Sequence, residues 1–145
     1  TCSSAVGIAR AAFEYAVKYS QERVTFGKPI CSNQAIQFML ADMGMKIEAS
    51  RQLGFHVADL IDHGKMAEVS KLASMAKCFS TDMLQSVTSD AVQIFGGYGY
   101  MRDYPVEKLM RDAKIYQIFE GTNQIQRMVI AGALLKEHRV KKGMR

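Results

Sequence analysis

Tryptophan is absent from this 145-residue chain, and proline occurs only twice. Because proline breaks helices more strongly than any other residue, its scarcity removes the commonest interruption of helical structure. The chain also has no internal repeat and no apolar–polar alternation long enough for a useful strand. With 48% hydrophobic residues and an ample supply of Ala, Met, Leu, Gln, Glu and Lys, the composition predicts an all-α domain with its own core.

Cysteine and histidine are also scarce, with three residues of each and no metal-binding spacing among them. They are Cys2, Cys31, Cys78, His56, His63 and His138. No CxxC pair occurs, and His56 and His63 are too far apart for an i, i+4 pair on one helix. The sequence therefore predicts no metal site and no disulfide framework, and it favours a reducing compartment.

No apolar run approaches the roughly 18 residues that a membrane span requires, so we expect no span. The formal charge is +5, and much of it falls in a basic tail over residues 137–145. Its cations are Arg139, Lys141, Lys142 and Arg145. Such a run is typical of a solvated chain end, and since no nucleic-acid motif occurs we expect no nucleic-acid partner. The chain opens on a helical pattern without Met or a signal peptide, so we expect a piece of a longer protein.

Five segments place apolar residues at the spacing of an amphipathic helix. They cover about 3–20, 33–63, 65–95, 106–116 and 123–136. The expected N-caps are Ser3 or Ser4, Ser32 or Asn33, and Thr122 or Asn123. Short connections force neighbouring helices to run antiparallel, so the pattern predicts an up-down four-helix-type bundle with one short extra helix. We assign the core to about residues 3–136 and the Met-rich stripes to its interior.

Three breaks between helices carry polar groups or bare backbone, at residues 23–27, 93–99 and 120–122. Taken singly, a residue like Arg23 is more often a surface cation, a glycine cluster is more often a turn, and a lone Glu120 is more often a solvated carboxylate. The glycine cluster lacks the GxGxxG spacing and follows a helix, which excludes a Rossmann site. Glu120 follows Ile118 and Phe119, so we expect an apolar wall beside it, and a carboxylate in a dry pocket suits general-base catalysis.

These breaks occur together in QERVTFGKPI, residues 21–30, and in DAVQIFGGYGYMRDYPVEKLMRDAKIYQIFEGTNQIQR, residues 90–127. On these two blocks and the helix lengths between them, the chain resembles the C-terminal helical domain of acyl-CoA dehydrogenases. The resemblance covers nearly the whole chain. It implies an FAD enzyme that oxidises an acyl-CoA to the trans-2-enoyl-CoA and passes electrons to an electron-transferring flavoprotein, in the mitochondrial matrix or the bacterial cytoplasm.

The resemblance also implies roles for individual residues. Glu120 matches the base that removes the α-proton, with its own N–H polarising the thioester carbonyl, and Phe119 and Gly121 match the substrate pocket. Several positions match FAD contacts of the family. They are Arg23, Thr25 and Phe26 for a neighbouring subunit's flavin, Gln34 as a further flavin contact, Gln93 and Gly97 near the adenosine end, and Thr122 and Gln124 within the subunit. Arg111 is assigned no ligand role.

Further expectations follow from the same resemblance. The parent enzyme would be a homotetramer or homodimer. The carboxylate at Glu120 favours short, medium or short-branched acyl chains, since members specialised for other chains supply it from another helix. Two alternatives stay open: an acyl-CoA oxidase-like relative, and a helical oligomerisation module that is inert when isolated.

Overall fold

The computed structural model describes residues 1–139, so Lys141, Lys142 and Arg145 of the predicted basic tail lie outside the described residues. The helices are α1 (Cys2–Glu22), α2 (Gln34–Asp62), α3 (Met66–Phe95), α4 (Val106–Tyr116) and α5 (Asn123–Glu137). Two 3-10 turns, Ile30–Ser32 and Gly96–Tyr100, follow α1 and α3. The predicted all-α class and the five predicted helices are therefore confirmed.

Two local predictions at the start of the chain are wrong. The residue before α1 is Thr1, not Ser3 or Ser4, and its hydroxyl makes no capping bond. No strand was expected in the chain, but β1 (Val24–Thr25) pairs antiparallel with β2 (Lys28–Pro29) at the break over residues 23–27. Strands of two residues are too short to show an alternating pattern. Phe26 and Gly27 turn the chain with φ of 50° and 81°, the left-handed geometry that tight hairpins require.

The helix α3 is the central element, because it packs against all four other helices. Tyr19, near the end of α1, stacks on Phe95 at the end of α3 with ring centroids 4.1 Å apart, so these two helices run in the same direction. The short turn after α2 makes α2 antiparallel to both. These three helices form three legs of the predicted up-down bundle.

The fourth leg is made of two helices in succession. Gln117, just after α4, and Arg127 on α5 both bond to Asp82 of α3, while Glu137 at the end of α5 bonds to Lys71 near the start of α3. Both α4 and α5 therefore run back along α3. The break between them falls at residues 117–122, and it exposes a loop partway along the bundle.

Small residues of α1 form much of the core. Ala5, Ala9, Ala12 and Ala16 are fully buried, and they face a core that includes Leu84, Val87 and Ala91 of α3. Alanine allows two helix backbones to approach closely, and interiors pack at crystal-like density. These four alanines recur at the 3/4 spacing of one helix face, which is the face that the sequence pattern marks as apolar.

The assignment of the Met-rich stripes to the core is only partly correct. Met43 and Met83 are buried, but Met128 and Leu135 of α5 are 70% and 74% exposed. The reason is that α5 turns its polar residues Asn123 and Arg127 toward α3, which leaves its apolar side outward. In the part of the chain that the structure describes, no helix has the length and apolar character needed to cross a bilayer.

Candidate active site

The break in the fourth leg, residues 117–122, is called the Glu120 turn below. Glu120 and Gly121 have φ of 51° and 86°, so two successive residues occupy the left-handed region. Among residues 1–139, the non-glycine residues with positive φ are Phe26 and Glu120. A side chain in this region costs energy and persists where its surroundings enforce it, often at functional sites. Thr122 then caps α5, since its Oγ1 accepts a hydrogen bond from the Ile125 N–H at 3.3 Å.

Lys77 of α3 holds the Glu120 turn from inside the protein. Its Nζ donates to the Gly121 carbonyl at 2.9 Å and to Asn123 Oδ1 at 2.7 Å. The side chain is almost fully buried, and burial lowers the pKa of Lys77, against the opposing effect of the nearby negative groups. A buried ammonium is costly unless its donors are used, so these bonds fix the turn to α3.

Asp82, one turn along α3, organises the rest of the contact. It accepts hydrogen bonds from Gln117 at 2.7 Å, from Asn123 at 2.8 Å and from the Arg127 guanidinium. Burial alone would raise the pKa of Asp82, but these hydrogen bonds and the Arg127 charge together hold that pKa below its ordinary value. The carboxylate therefore ties both ends of the Glu120 turn to α3.

The Glu120 carboxylate itself lies on the surface of this chain. It accepts a hydrogen bond from the Thr1 hydroxyl, and its backbone carbonyl accepts one from Gln126 Nε2 at 3.2 Å. The expected dry apolar wall is not formed by the described residues, because Ile118 and Phe119 are 49% and 37% exposed. These two side chains therefore line an open surface. Within residues 1–139, the Glu120 N–H donates to no other group.

A second group of predicted site residues meets at the other end of α1. Arg23, Thr25 and Gly97 line one open cavity of about 540 Å³, which we call the Arg23 cavity. The Arg23 guanidinium lies 5.5 Å from the centre of the Tyr98 ring, which also lines it. A Cβ built on Gly97 would meet nothing within 4 Å, so bare backbone faces open space there. A cation, an aromatic ring and bare backbone together suit an anionic, planar ligand.

The remaining predicted residues are more scattered. Phe26 is fully exposed at the tip of the hairpin. Gln34 and Gln93 are exposed and do not line the Arg23 cavity, and Gln124 is exposed beside the Glu120 turn. Arg111 pairs with Glu107 on its own helix at 2.7 Å, so it does not join two helices.

The two groups are separated by the length of α1. Thr1 bonds to Glu120 before α1 begins, and Arg23 follows its last residue. A helix of 21 residues is about 30 Å long at 1.5 Å per residue. The Glu120 turn and the Arg23 cavity therefore lie at opposite ends of α1.

Sequence reasoning missed Lys77, Asp82 and Asn123 as organisers of the site. A signal was present for Lys77, since the positions that share its helix face, Ser74, Thr81 and Leu84, are small or apolar residues and are all buried. A lysine within an apolar helical stripe needs a partner, and that requirement points to a tethered loop. Among residues 1–139 no group of three His, Cys, Asp or Glu could hold a metal ion.

Comparison with known proteins agrees with this fold. A family model described as "Acyl-CoA dehydrogenase, C-terminal domain" matches residues 1–135. The chain is 56% identical over 135 residues to cyclohexane-1-carbonyl-CoA dehydrogenase of Geobacter metallireducens, covering 93% of this chain and 35% of that protein. The chain thus spans about a third of the length of the curated relatives it matches.

Two solved structures are closely similar. Butyryl-CoA dehydrogenase of Megasphaera elsdenii matches with a TM-score of 0.89 and 53% identity, over 92% of this chain and 34% of that one. A chain in a structure named "Electron transferring flavoprotein of Acidaminococcus fermentans: Towards a mechanism of flavin-based electron bifurcation" matches with a TM-score of 0.90 and 56% identity, over 93% of this chain and 35% of that one.

Proposed function

The chain belongs to the acyl-CoA dehydrogenase family, and from its match to the C-terminal domain we propose that it is part of a longer FAD-dependent enzyme. That enzyme would convert an acyl-CoA thioester into the trans-2-enoyl-CoA, with Glu120 as the base. The observation that carries the proposal is the left-handed Glu120 turn, which has an exposed carboxylate and, within residues 1–139, a backbone N–H of the same residue that donates to no other group.

Both groups of Glu120 have a place in this chemistry. The carboxylate takes the α-proton of the thioester, while the backbone N–H donates to the thioester carbonyl and stabilises the negative charge that develops on its oxygen. When FAD is bound, it accepts the hydride that leaves the β-carbon as the double bond forms. In this chain the Thr1 hydroxyl donates a hydrogen bond to the carboxylate.

Desolvation of the base must come from groups outside the described residues. Ile118 and Phe119 supply a partly exposed apolar surface beside Glu120, and Gly121 is itself exposed next to it. We propose that other parts of the longer protein close over this surface, since a base in a water-free pocket is better matched to a weak carbon acid. The open geometry of this chain then represents one wall of the pocket.

The residues present fit a flavin dinucleotide. We propose that the Arg23 cavity receives the FAD of a second copy, with Arg23 on the pyrophosphate and Thr25, Phe26 and Gln34 beside it. Gln93 and Gly97 would lie near the adenosine end, and Thr122 and Gln124 would contact the flavin bound next to their own Glu120. The separation of about 30 Å along α1 supports this division between two copies.

Partners and substrates are proposed on the same basis. The division of flavin contacts requires at least a homodimer, and the exposed apolar side of α5 gives a surface for the assembly of dimers into a tetramer. An electron-transferring flavoprotein is the proposed electron acceptor. The butyryl and cyclohexane-1-carbonyl substrates named for the relatives support a short or short-branched acyl chain. Those relatives are bacterial, which supports a bacterial cytoplasm over a mitochondrial matrix.

Anaerobic bleaching of the bound flavin tests this function. The full-length protein is mixed with butyryl-CoA or octanoyl-CoA, beside its Glu120→Gln variant and Glu14→Gln as an exposed control on α1. We expect bleaching by the wild type and the control and none by Glu120→Gln, and the better substrate gives the chain-length class. Equal bleaching by Glu120→Gln would place the base elsewhere, and no bleaching by the flavin-loaded wild type would refute the proposed reaction.

A further inference from the structure

We propose that Lys77 is a positioning residue for the base: its buried ammonium holds the Glu120 turn in the left-handed conformation that catalysis requires. This inference rests on the proposed function and adds to it a residue that contacts neither substrate nor flavin. Lys77 belongs to α3, so the position of the base is set from the centre of the bundle.

The ammonium is placed where it can act on the backbone of the turn. Lys77 is only 7% exposed, and its Nζ bonds to the Gly121 carbonyl at 2.9 Å and to Asn123 Oδ1 at 2.7 Å. The first of these acceptors belongs to the residue directly after Glu120. The second acceptor belongs to Asn123. The Nδ2 of the same side chain donates to Thr81 Oγ1 at 2.9 Å and to Asp82 Oδ1 at 2.8 Å, so this side chain is held firmly.

The two carbonyls of the strained pair are held from two sides. Lys77 donates to the Gly121 carbonyl at 2.9 Å from the core side. Gln126 Nε2 on α5 donates to the Glu120 carbonyl at 3.2 Å and makes a longer bond of 3.5 Å to the Gly121 carbonyl. Because φ is positive at both residues, releasing either carbonyl lets the backbone relax toward the common regions. Such a relaxation would turn the Glu120 side chain and N–H together away from the reacting carbon.

A merely structural role does not account for a charged group at this position. An apolar residue would join α3 to α5 without the cost of burying an ammonium, and buried charges are often replaceable by apolar groups without loss of stability. What an apolar residue lacks is a donor for the Gly121 carbonyl. The geometry therefore links the charge to the shape of the turn.

The test uses the full-length flavoprotein with Lys77→Met, which keeps the length of the side chain and removes its donors. Lys71→Met is the matched control, because Lys71 lies on the same helix and pairs with Glu137, away from the Glu120 turn. The measured quantities are the rate of flavin reduction per bound flavin at saturating butyryl-CoA, the affinity for the enoyl-CoA product, and the flavin content.

We expect Lys77→Met to lower the reduction rate at saturating substrate by about 100-fold, as for a catalytic group displaced by about 1 Å, with a flavin content near that of the wild type. The affinity for the enoyl-CoA should fall as well, because the Glu120 N–H that bonds its thioester carbonyl turns away with the side chain. Lys71→Met should reduce its flavin at the wild-type rate. A wild-type rate per flavin in Lys77→Met would overturn the proposal, whatever its thermal stability, because it would leave Lys77 only a structural role.

A second variant decides the matter if Lys77→Met yields no flavoprotein. Lys77→Arg keeps the buried cation, but its planar fork presents donors differently from an ammonium. We expect a flavoprotein with a rate lowered by about 10-fold or more, and a wild-type rate would overturn the proposal. The wild type and Glu120→Gln show whether the proposed function itself has failed, apart from the role of Lys77. If the wild type is not bleached, or if Glu120→Gln is bleached, Glu120 is not the base and the inference about Lys77 falls with it.

Discussion

Replacing Gly99 with alanine should destabilise the domain through a clash that no side-chain rotation relieves. Gly99 lies in the 3-10 turn that follows α3, and a Cβ built on it would stand 2.7 Å from the Val92 carbonyl oxygen and 2.7 Å from the Phe95 Cβ. The first of these atoms is backbone in the last turns of α3. The turn would have to move away from α3 to accept the methyl group.

Gly97 supplies a control two residues away in the same turn. A Cβ there meets nothing within 4 Å, so Gly97→Ala introduces no clash. An overpacked methyl group typically costs about 1–3 kcal/mol, whereas Gly→Ala at a compatible site stabilises by about 0.4–1 kcal/mol through the unfolded chain. We therefore expect the two variants to differ by at least about 1.5 kcal/mol in the free energy of unfolding.

Urea unfolding followed by circular dichroism measures this difference. With a slope of about 1–3 kcal/mol per molar for a small protein, Gly99→Ala should unfold at a urea concentration lower by roughly 1 M than Gly97→Ala. Equal midpoints would refute the close packing of this turn on α3. The flavin content of the full-length protein should rank the two variants in the opposite order. The methyl group of Gly97→Ala points into the Arg23 cavity, so this variant should bind less flavin without losing stability.

Three further outcomes are expected. Gly121→Ala should unfold about 1–2 kcal/mol more easily than the wild type, because φ of 86° disfavours a Cβ, whereas Gly132→Ala in α5 should be neutral or stabilising by urea unfolding. Because the pKa of Asp82 is held below its ordinary value, the carboxylate stabilises the fold fully above about pH 4, and this effect is lost as the pH falls further. The urea midpoint of the wild type should therefore drop more between about pH 6 and pH 2.5 than the midpoint of Asp82→Asn. The isolated chain should carry no stoichiometric FAD after purification, measured by its visible absorbance, and a flavin that copurifies in full amount would contradict the division of the site between copies.

Helical spacing and chain breaks were enough to predict the architecture. The short helix Val106–Tyr116 and the cap at Thr122 follow directly from Pro105 and Thr122 in the sequence. The hairpin at β1 and β2 could not be predicted, because strands of two residues carry no periodic signal. The outward apolar side of α5 was also missed, since periodicity shows that a helix has an apolar side and does not show which neighbour covers it.

The site was predictable only in its chemistry. Glu120 and Gly121 mark a helix break that carries a carboxylate, and Arg23 and Thr25 mark a second break that carries a cation. Spacing along the chain does not show that these two breaks lie at opposite ends of α1. The buried bonds of Lys77 and Asp82 join residues more than 30 positions apart, so they depend on the packing of α3 against α5. Local sequence patterns do not contain that information.

The length of α1 has a consequence for how this domain can change in evolution. Inserting or deleting one residue within α1 would rotate its two ends by roughly 100° relative to each other and shift them by about 1.5 Å. Such a change would misalign Thr1 with Glu120, or Arg23 with its cavity, even if every side chain were kept. The turn between α2 and α3 has no such constraint, so natural length variation among relatives should concentrate there and be absent from α1.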